Sequence, residues 1–273
     1  MMPAGGGNPL LIFDSGVGGL TVLAEIRRAI PGASLVYVAD NAGFPYGAWE
    51  EAALTGHVVE LFEGLIGRFS PRLCVIACNT ASTLVLARLR ARFVVPFVGT
   101  VPAIKPAAER TTTGLVSVLA TPATVERDYT RGLIGKYAYQ CRVTLVGAER
   151  LAALAEAKLA GAPVDRAVLS AEIAPAFVEE QGKRTDTVVL ACTHYPLLMD
   201  ELQAAAPWPV AWLNPADAIA RRAAELWPAD AAPAAGPGPD LALFTAPERV
   251  SAALRAALAT YGLREIAPAP AKD

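Results

Sequence analysis

The sequence predicts an α/β protein of two similar lobes. Each lobe is a mainly parallel sheet covered by helices, the two are pseudo-twofold related, and the active site lies in the cleft between them. Three observations carry this expectation. Short apolar runs alternate with longer stretches whose apolar residues recur at helical spacing, which is the rhythm of βαβ units. Two of the runs end in near-identical phrases, Val75-Ile76-Ala77-Cys78-Asn79-Thr80 and Val189-Leu190-Ala191-Cys192-Thr193-His194. Each is preceded by a comparable strand and turn, Leu11-Ile12-Phe13-Asp14-Ser15-Gly16 and Ser117-Val118-Leu119-Ala120-Thr121-Pro122. The chain therefore holds a weak internal repeat rather than a solenoid.

In chain order the predicted strands are Leu10–Phe13, Leu35–Ala39, Leu73–Ala77, Pro96–Gly99, Leu115–Ala120, Val143–Gly147, Thr187–Ala191, Val210–Leu213 and Leu241–Phe244. All are short and rich in aliphatic or β-branched residues, as strands buried on both faces are. The predicted helices are Leu20–Ala29, Glu51–Gly67, Thr83–Arg92, Thr124–Gly135, Leu151–Leu159, Pro175–Gln181 and Ala216–Leu226. Residues 229–239 are rich in Ala, Pro and Gly and read as a flexible linker. The tail after Ala267 is expected to be disordered.

The chain has 273 residues, enough for one large or two medium cores. Hydrophobic residues make up 53% and charged residues 18%, an apolar but globular balance. The net charge of −2 argues against a nucleic-acid surface or an anionic membrane as partner, since both call for a basic patch. Arg88, Arg90 and Arg92 read as a solvated helix edge. Met1 to Asn8 carry no Lys or Arg, and Leu10–Phe13 is too short for a signal core or a membrane span. The expected location is cytoplasmic, where Cys74, Cys78, Cys141 and Cys192 would be thiols.

Cys74 and Cys141 read as small hydrophobes. Cys78 and Cys192 differ, because each falls at the carboxyl end of a strand, where open α/β sheets place their ligands. Each is followed by hydrogen-bonding side chains, and helix-start amides there would favour a thiolate. A thiol on each side of a pocket suits chemistry in which a proton leaves one face of a carbon and returns on the other. Asp14-Ser15-Gly16-Val17-Gly18-Gly19 ends a strand in a carboxylate and enters a helix through glycines. It lacks the Lys-Ser/Thr ending of a P-loop and is not a full GxGxxG, which argues against a nucleotide site; the segment reads either as a tight strand-to-helix turn or as a carboxylate that contacts an amine or assists a thiol. Asp40-Asn41-Ala42-Gly43-Phe44-Pro45-Tyr46-Gly47 is a turn-rich loop at the same sheet edge. Thr121 and Thr124 hold the matching place in the other lobe, with Thr121 also readable as a plain N-cap. Of the two histidines, His194 is suited to shuttling protons, and His57 is expected on a helix surface. A zinc site from Cys74, Cys78, Cys192 and His194 is conceivable, but such spacings usually span a turn rather than an apolar strand. No metal is expected.

Five motifs in order are similar to those of the glutamate racemase family, within the cofactor-independent aspartate/glutamate racemases. They are Phe13–Gly19, Ala39-Asp40 with Pro45-Tyr46-Gly47, Ala77–Ser82, Gly99–Pro106, and Cys192–Leu198. The resemblance runs from about Leu10 to about Leu226. It implies interconversion of L- and D-glutamate for peptidoglycan, with two thiols as bases and no cofactor. Cys78 matches the thiol that takes the α-proton of D-glutamate, and Cys192 the one that acts on L-glutamate. Asp14 and His194 match the assisting groups. Substrate contacts are implied for Asp14, Ser15, Pro45, Tyr46, Gly47, Asn79, Thr80, Thr121, Thr124, Thr193 and His194.

The resemblance also implies a first lobe of residues 1–97 plus 210–273 and a second of 98–209. It leaves room for a homodimer. Two positions depart from the family pattern. Ala191 stands where a glycine is usual, and Asn214 stands where an aspartate is usual. The alternatives are an aspartate or other acidic amino-acid racemase and, from a different class, a zinc-stabilised binding module.

Overall fold

The computed structural model describes residues 8–228 and 240–270. The chain divides into two compact units. One runs to Thr100 and resumes at Ala216; the other is Val101–Pro215. The first unit opens with β1 (Leu10–Asp14), α1 (Leu20–Ala29), β2 (Leu35–Ala39), α2 (Glu51–Phe69), β3 (Leu73–Ile76), α3 (Asn79–Leu84), α4 (Leu86–Arg92) and β4 (Phe97–Gly99). The second holds α5 (Ile104–Arg110), β5 (Leu115–Ala120), α6 (Pro122–Val125), α7 (Asp128–Tyr137), β6 (Arg142–Gly147), α8 (Leu151–Leu159) and α9 (Arg166–Ile173). It continues through β7 (Glu179–Glu180), β8 (Lys183–Arg184), β9 (Thr187–Leu190), α10 (Met199–Ala205) and β10 (Ala211–Leu213). The first unit is completed by α11 (Ala216–Leu226), β11 (Leu241–Phe244), α12 (Ala252–Thr260) and β12 (Glu265–Pro268).

The first unit's sheet is wholly parallel, in the order β12-β11-β2-β1-β3-β4. Residues of β1 and β2 are buried throughout, which explains why these strands read as continuous apolar runs rather than alternating ones. One face packs on α2. Phe62 meets Phe13 edge-on at 5.1 Å and Phe97 at 5.5 Å between ring centres. Burying such a ring contributes about 2–3 kcal/mol. On the other helices, α1 buries Leu20, Val22, Leu23 and Ile26, and α11 buries Ala216, Ile219, Ala220 and Ala223. The small residues of α11 let the two helices approach closely.

The second unit's sheet is also parallel, in the order β10-β9-β5-β6. Val116, Val118, Val189 and Ala191 form its core with Ile104 and Ala107 of α5. The mixed α/β class with mainly parallel sheets thus agrees with the sequence expectation.

Several local expectations differ from the structure. Residues 175–181 are not a helix. They form a short 3₁₀ turn, Ala174–Ala176, and the antiparallel β7–β8 hairpin. Gln181 and Gly182 both take positive φ, 51° and 75°, as a two-residue hairpin turn demands, and Arg184 pairs with Glu179 across it at 3.0 Å. The helical stretch from Thr83 starts earlier and breaks at the buried Val85, and the one from Thr124 divides into α6 and α7. Helices α5, α9, α10 and α12 and strand β12 have no counterpart in the sequence reading. The chain returns to the first unit later than residue 210, because β10 pairs with β9 and the change falls after Pro215. The tail is placed as far as Pro270: the Ala269 N–H donates to the Phe244 carbonyl at 2.9 Å. The linker expected over residues 229–239 lies outside the described residues.

Candidate active site

In each sheet the chain first moves to one side of its starting strand and then returns to the other. In the first unit β2 lies on one side of β1 and β3 on the other; in the second, β6 and β9 flank β5. The crevice at such a reversal, beyond the strands' carboxyl ends, is where open α/β sheets bind ligands. Phe13 pairs with Ile76, and two residues on come Ser15 and Cys78. Leu119 pairs with Leu190, and two residues on come Thr121 and Cys192. Both units therefore carry a hydroxyl beside a cysteine at the same topological point.

In the first unit Cys78 is buried, and its Sγ lies 3.6 Å from Ser15 Oγ. Ser15 Oγ lies 3.4 Å from Asp14 Oδ1, whose carboxylate also accepts the Ser15 and Gly19 backbone N–H groups. The glycine turn thus turns an amide inward onto the chain's own carboxylate. Gly19 suits the close packing there. A Cβ would stand 3.0 Å from Asp14 Cβ, 3.1 Å from Ala77 Cβ and 3.1 Å from the Tyr37 hydroxyl. Asn79 follows Cys78 and is buried, yet neither its amide nitrogen nor its oxygen has a hydrogen-bond partner among the described residues. A buried amide in that state marks a place where a polar ligand group fits. Thr80 is buried beside it.

The loop after β2 is held by Asp40, which is fully buried. Its Oδ2 accepts from Tyr46 Oη at 2.5 Å and faces His57 Nε2 at 2.6 Å, and its Oδ1 accepts from Thr245 Oγ1 at 2.7 Å. Burial by itself pushes the Asp40 carboxyl up. The bonds from His57, Tyr46 and Thr245 outweigh it and hold the group below its ordinary range. Burial and the Asp40 charge push the Tyr46 phenol well up, with Cys78 and Asp14 adding to the effect. Tyr46 therefore keeps its proton beside the thiol. Pro45 and Gly47 flank it and are exposed. His57 is not the surface residue expected. It is half-buried, held by Asp40 and stacked on Trp49 at 5.0 Å.

In the second unit Cys192 Sγ lies 3.8 Å from His194 Nδ1, and His194 Nε2 lies 2.7 Å from Glu156 Oε1. A carboxylate at that place accepts the Nε2–H, so the neutral ring presents its Nδ1 lone pair to the thiol. Glu156 is the residue that sequence reasoning missed. It sits on α8, far from His194 in the chain, and no motif surrounds it. Thr121 is the N-cap of α6 by position, but its hydroxyl makes no cap bond and instead meets Thr124 Oγ1 at 3.0 Å. Thr193 is buried next to Cys192. Cys74 is a core residue whose thiol burial pushes far above the ordinary range. Cys141 is partly buried and packs against the second core. A groove of about 1040 Å³ between α2 and α4, lined by Glu50, Gly56, Val59, Leu84, Arg88 and Arg92 among others, includes neither cysteine.

Residues 19–223 match the family model described as Asp/Glu/Hydantoin racemase. The chain belongs to that family. It is 61% identical over 239 residues to a glutamate racemase of Mesorhizobium japonicum, covering 87% of this chain and 91% of that one. It is 57% identical to a glutamate racemase of Brucella canis, covering 94% and 93%. Among solved structures, the Escherichia coli glutamate racemase in complex with L-glutamate and the activator UDP-MurNAc-ala superposes with a TM-score of 0.90 at 39% identity, covering 97% of this chain and 100% of that one. These racemase relatives span both units of the chain. Among the described residues, no helix is long and apolar enough to cross a membrane.

Proposed function

We propose that this chain is a glutamate racemase that interconverts L- and D-glutamate with two cysteine bases and no cofactor. The observation that carries the reading is the duplicated strand-end cysteine, each with its own proton-handling neighbours. Membership of the racemase family and the high identity to glutamate racemases support glutamate as the substrate.

The α-hydrogen of an amino acid is a very weak acid, because its carbanion lies next to a carboxylate. Fixed N–H and O–H donors must stabilise that charge. Asn79, Thr80, Thr121, Thr124 and Thr193 supply such donors, with Ser15 and the backbone N–H of Gly47, while Pro45 and Tyr46, whose hydroxyl donates to Asp40, shape the loop beside them. Cys78 removes the α-proton of D-glutamate as a thiolate while Cys192, as a thiol, delivers one. The roles exchange for L-glutamate. The Cys192 proton passes to and from His194 Nδ1, whose tautomer Glu156 holds. The Cys78 thiol is served by Ser15 and Asp14. Turnover in either direction needs one thiol ionised and the other protonated. The D-glutamate formed would supply peptidoglycan synthesis in the cytoplasm.

The test is circular dichroism of purified protein with L-glutamate and, separately, D-glutamate, with chelator and no added cofactor. Both signals decaying to zero supports the reading. Racemisation of aspartate alone would keep the two-base chemistry and change the substrate. No reaction with either overturns it.

A further inference from the structure

We propose that His57 is a positioning residue that fastens the Tyr46 loop from outside the substrate's contact set. This rests on the racemase reading above. Three links join His57 to that loop. Its Nε2 lies 2.6 Å from Asp40 Oδ2, the same oxygen that accepts the Tyr46 hydroxyl at 2.5 Å. Its ring stacks on Trp49 at 5.0 Å with 29° between planes. The Trp49 Nε1–H in turn donates to the Gly43 carbonyl at 2.8 Å.

Asp40 is an ionised carboxylate and has no proton to give, so His57 Nε2 carries the hydrogen in this pair. Two donors on one oxygen fix the carboxylate's orientation. With Thr245 on Oδ1, the group cannot rotate without breaking a bond. The Tyr46 hydroxyl is thereby aimed at Asp40. The loop from Gly43 to Trp49 is clamped at both ends, by a carbonyl bond at Gly43 and an aromatic stack at Trp49. His57 comes from α2, an element that contributes no predicted substrate contact. Its bonds to Asp40 and its stack on Trp49 fall on groups that hold the contact residues.

A clamp of this kind acts on substrate affinity more than on proton transfer. The test compares His57→Phe, which keeps a ring over Trp49 but has no N–H, with His57→Gln, whose amide N–H can reach the Nε2 position. His57→Phe is expected to raise KM for both enantiomers about tenfold with kcat changed less than about threefold, and His57→Gln to restore KM. Equal loss of kcat and KM in both variants, or wild-type KM in His57→Phe, overturns the proposal. Hydrogen exchange at residues 43–49 reads the clamp without turnover. It should quicken in His57→Phe and recover in His57→Gln. If the wild type does not racemise glutamate but exchange behaves so, the racemase reading falls and the clamp stands. Unchanged exchange in His57→Phe overturns the clamp whatever the activity.

Discussion

Glu156 Oε1 lies 2.7 Å from His194 Nε2, on the side of the ring away from the Cys192 thiol at 3.8 Å from Nδ1. The imidazole is therefore bracketed by a carboxylate and a sulfur. Glu156→Gln keeps the shape but can present an amide N–H to the ring, favouring the wrong tautomer. Turnover should fall roughly tenfold to a hundredfold, and His194→Gln should lose about 10²-fold or more. Steady-state kinetics in both directions checks this. Wild-type kcat in Glu156→Gln would remove Glu156 from the relay.

Each thiol is expected to be indispensable. Cys78→Ala and Cys192→Ala should each lose at least about 10³-fold in racemisation. Thermal melts should stay near wild type, since Ala fills most of the space of a small buried side chain. Full turnover by either single variant contradicts the two-base scheme.

Gly19→Ala should destabilise the first unit by about 1–3 kcal/mol. The added methyl meets Asp14 Cβ at 3.0 Å and Ala77 Cβ at 3.1 Å, so these buried neighbours must shift by a few tenths of an ångström to admit it. Urea unfolding measures the loss. A variant as stable as wild type would show that the turn can shift.

Asp186 should make the second unit acid-sensitive. Its carboxylate accepts from the Thr111 hydroxyl at 2.7 Å and from the Thr112 and Thr113 backbone N–H groups at 2.7 and 3.0 Å. Burial alone would raise its pKa from 3.8. The bonds from Thr111, Thr112 and Thr113 outweigh burial and hold it far lower. A folded pKa below the unfolded one means the stabilisation is complete above the unfolded value. It is lost as pH falls through that value toward the folded one. Asp186→Asn should cost about 1–3 kcal/mol at neutral pH. Its melting temperature should also depend less on pH below about 4, near the unfolded carboxyl value. Parallel melts of wild type and variant across that range decide it.

The strands were legible because burial on both faces leaves an unbroken aliphatic run, and β2, β5 and β11 begin and end where those runs do. Helices were less so. Alanine-rich segments blur the apolar stripe, so α9 shows no clear helical pattern, while its neighbour Pro175–Gln181 has apolar residues at helical spacing without being a helix. The deciding signal there was Gln181-Gly182, a hairpin turn flanked by opposite charges. In the site, Cys78 and Cys192 stood out because the chain repeats itself, and the structure puts a hydrogen-bonding partner on each. Glu156 and His57 did not stand out. Each lies mid-helix, and each is drawn to the site only by tertiary packing, which leaves no trace in local spacing. Asp40 appeared merely as one residue of a turn-rich loop, though it organises that loop.

The two cysteines have unlike company: a serine and an aspartate on one side, an imidazole and a glutamate on the other. L- and D-glutamate are mirror images with equal free energy in water, so equilibrium holds them at equal concentrations whatever the catalyst. The unlike settings must then cancel in the ratio of kcat/KM for the two directions and show only in kcat and KM taken separately. A fault confined to one thiol's helpers slows the traffic both ways, and no substitution in this chain can make it enrich one hand of the amino acid on its own. Any bias toward D-glutamate in a cell has to come from whatever withdraws the product.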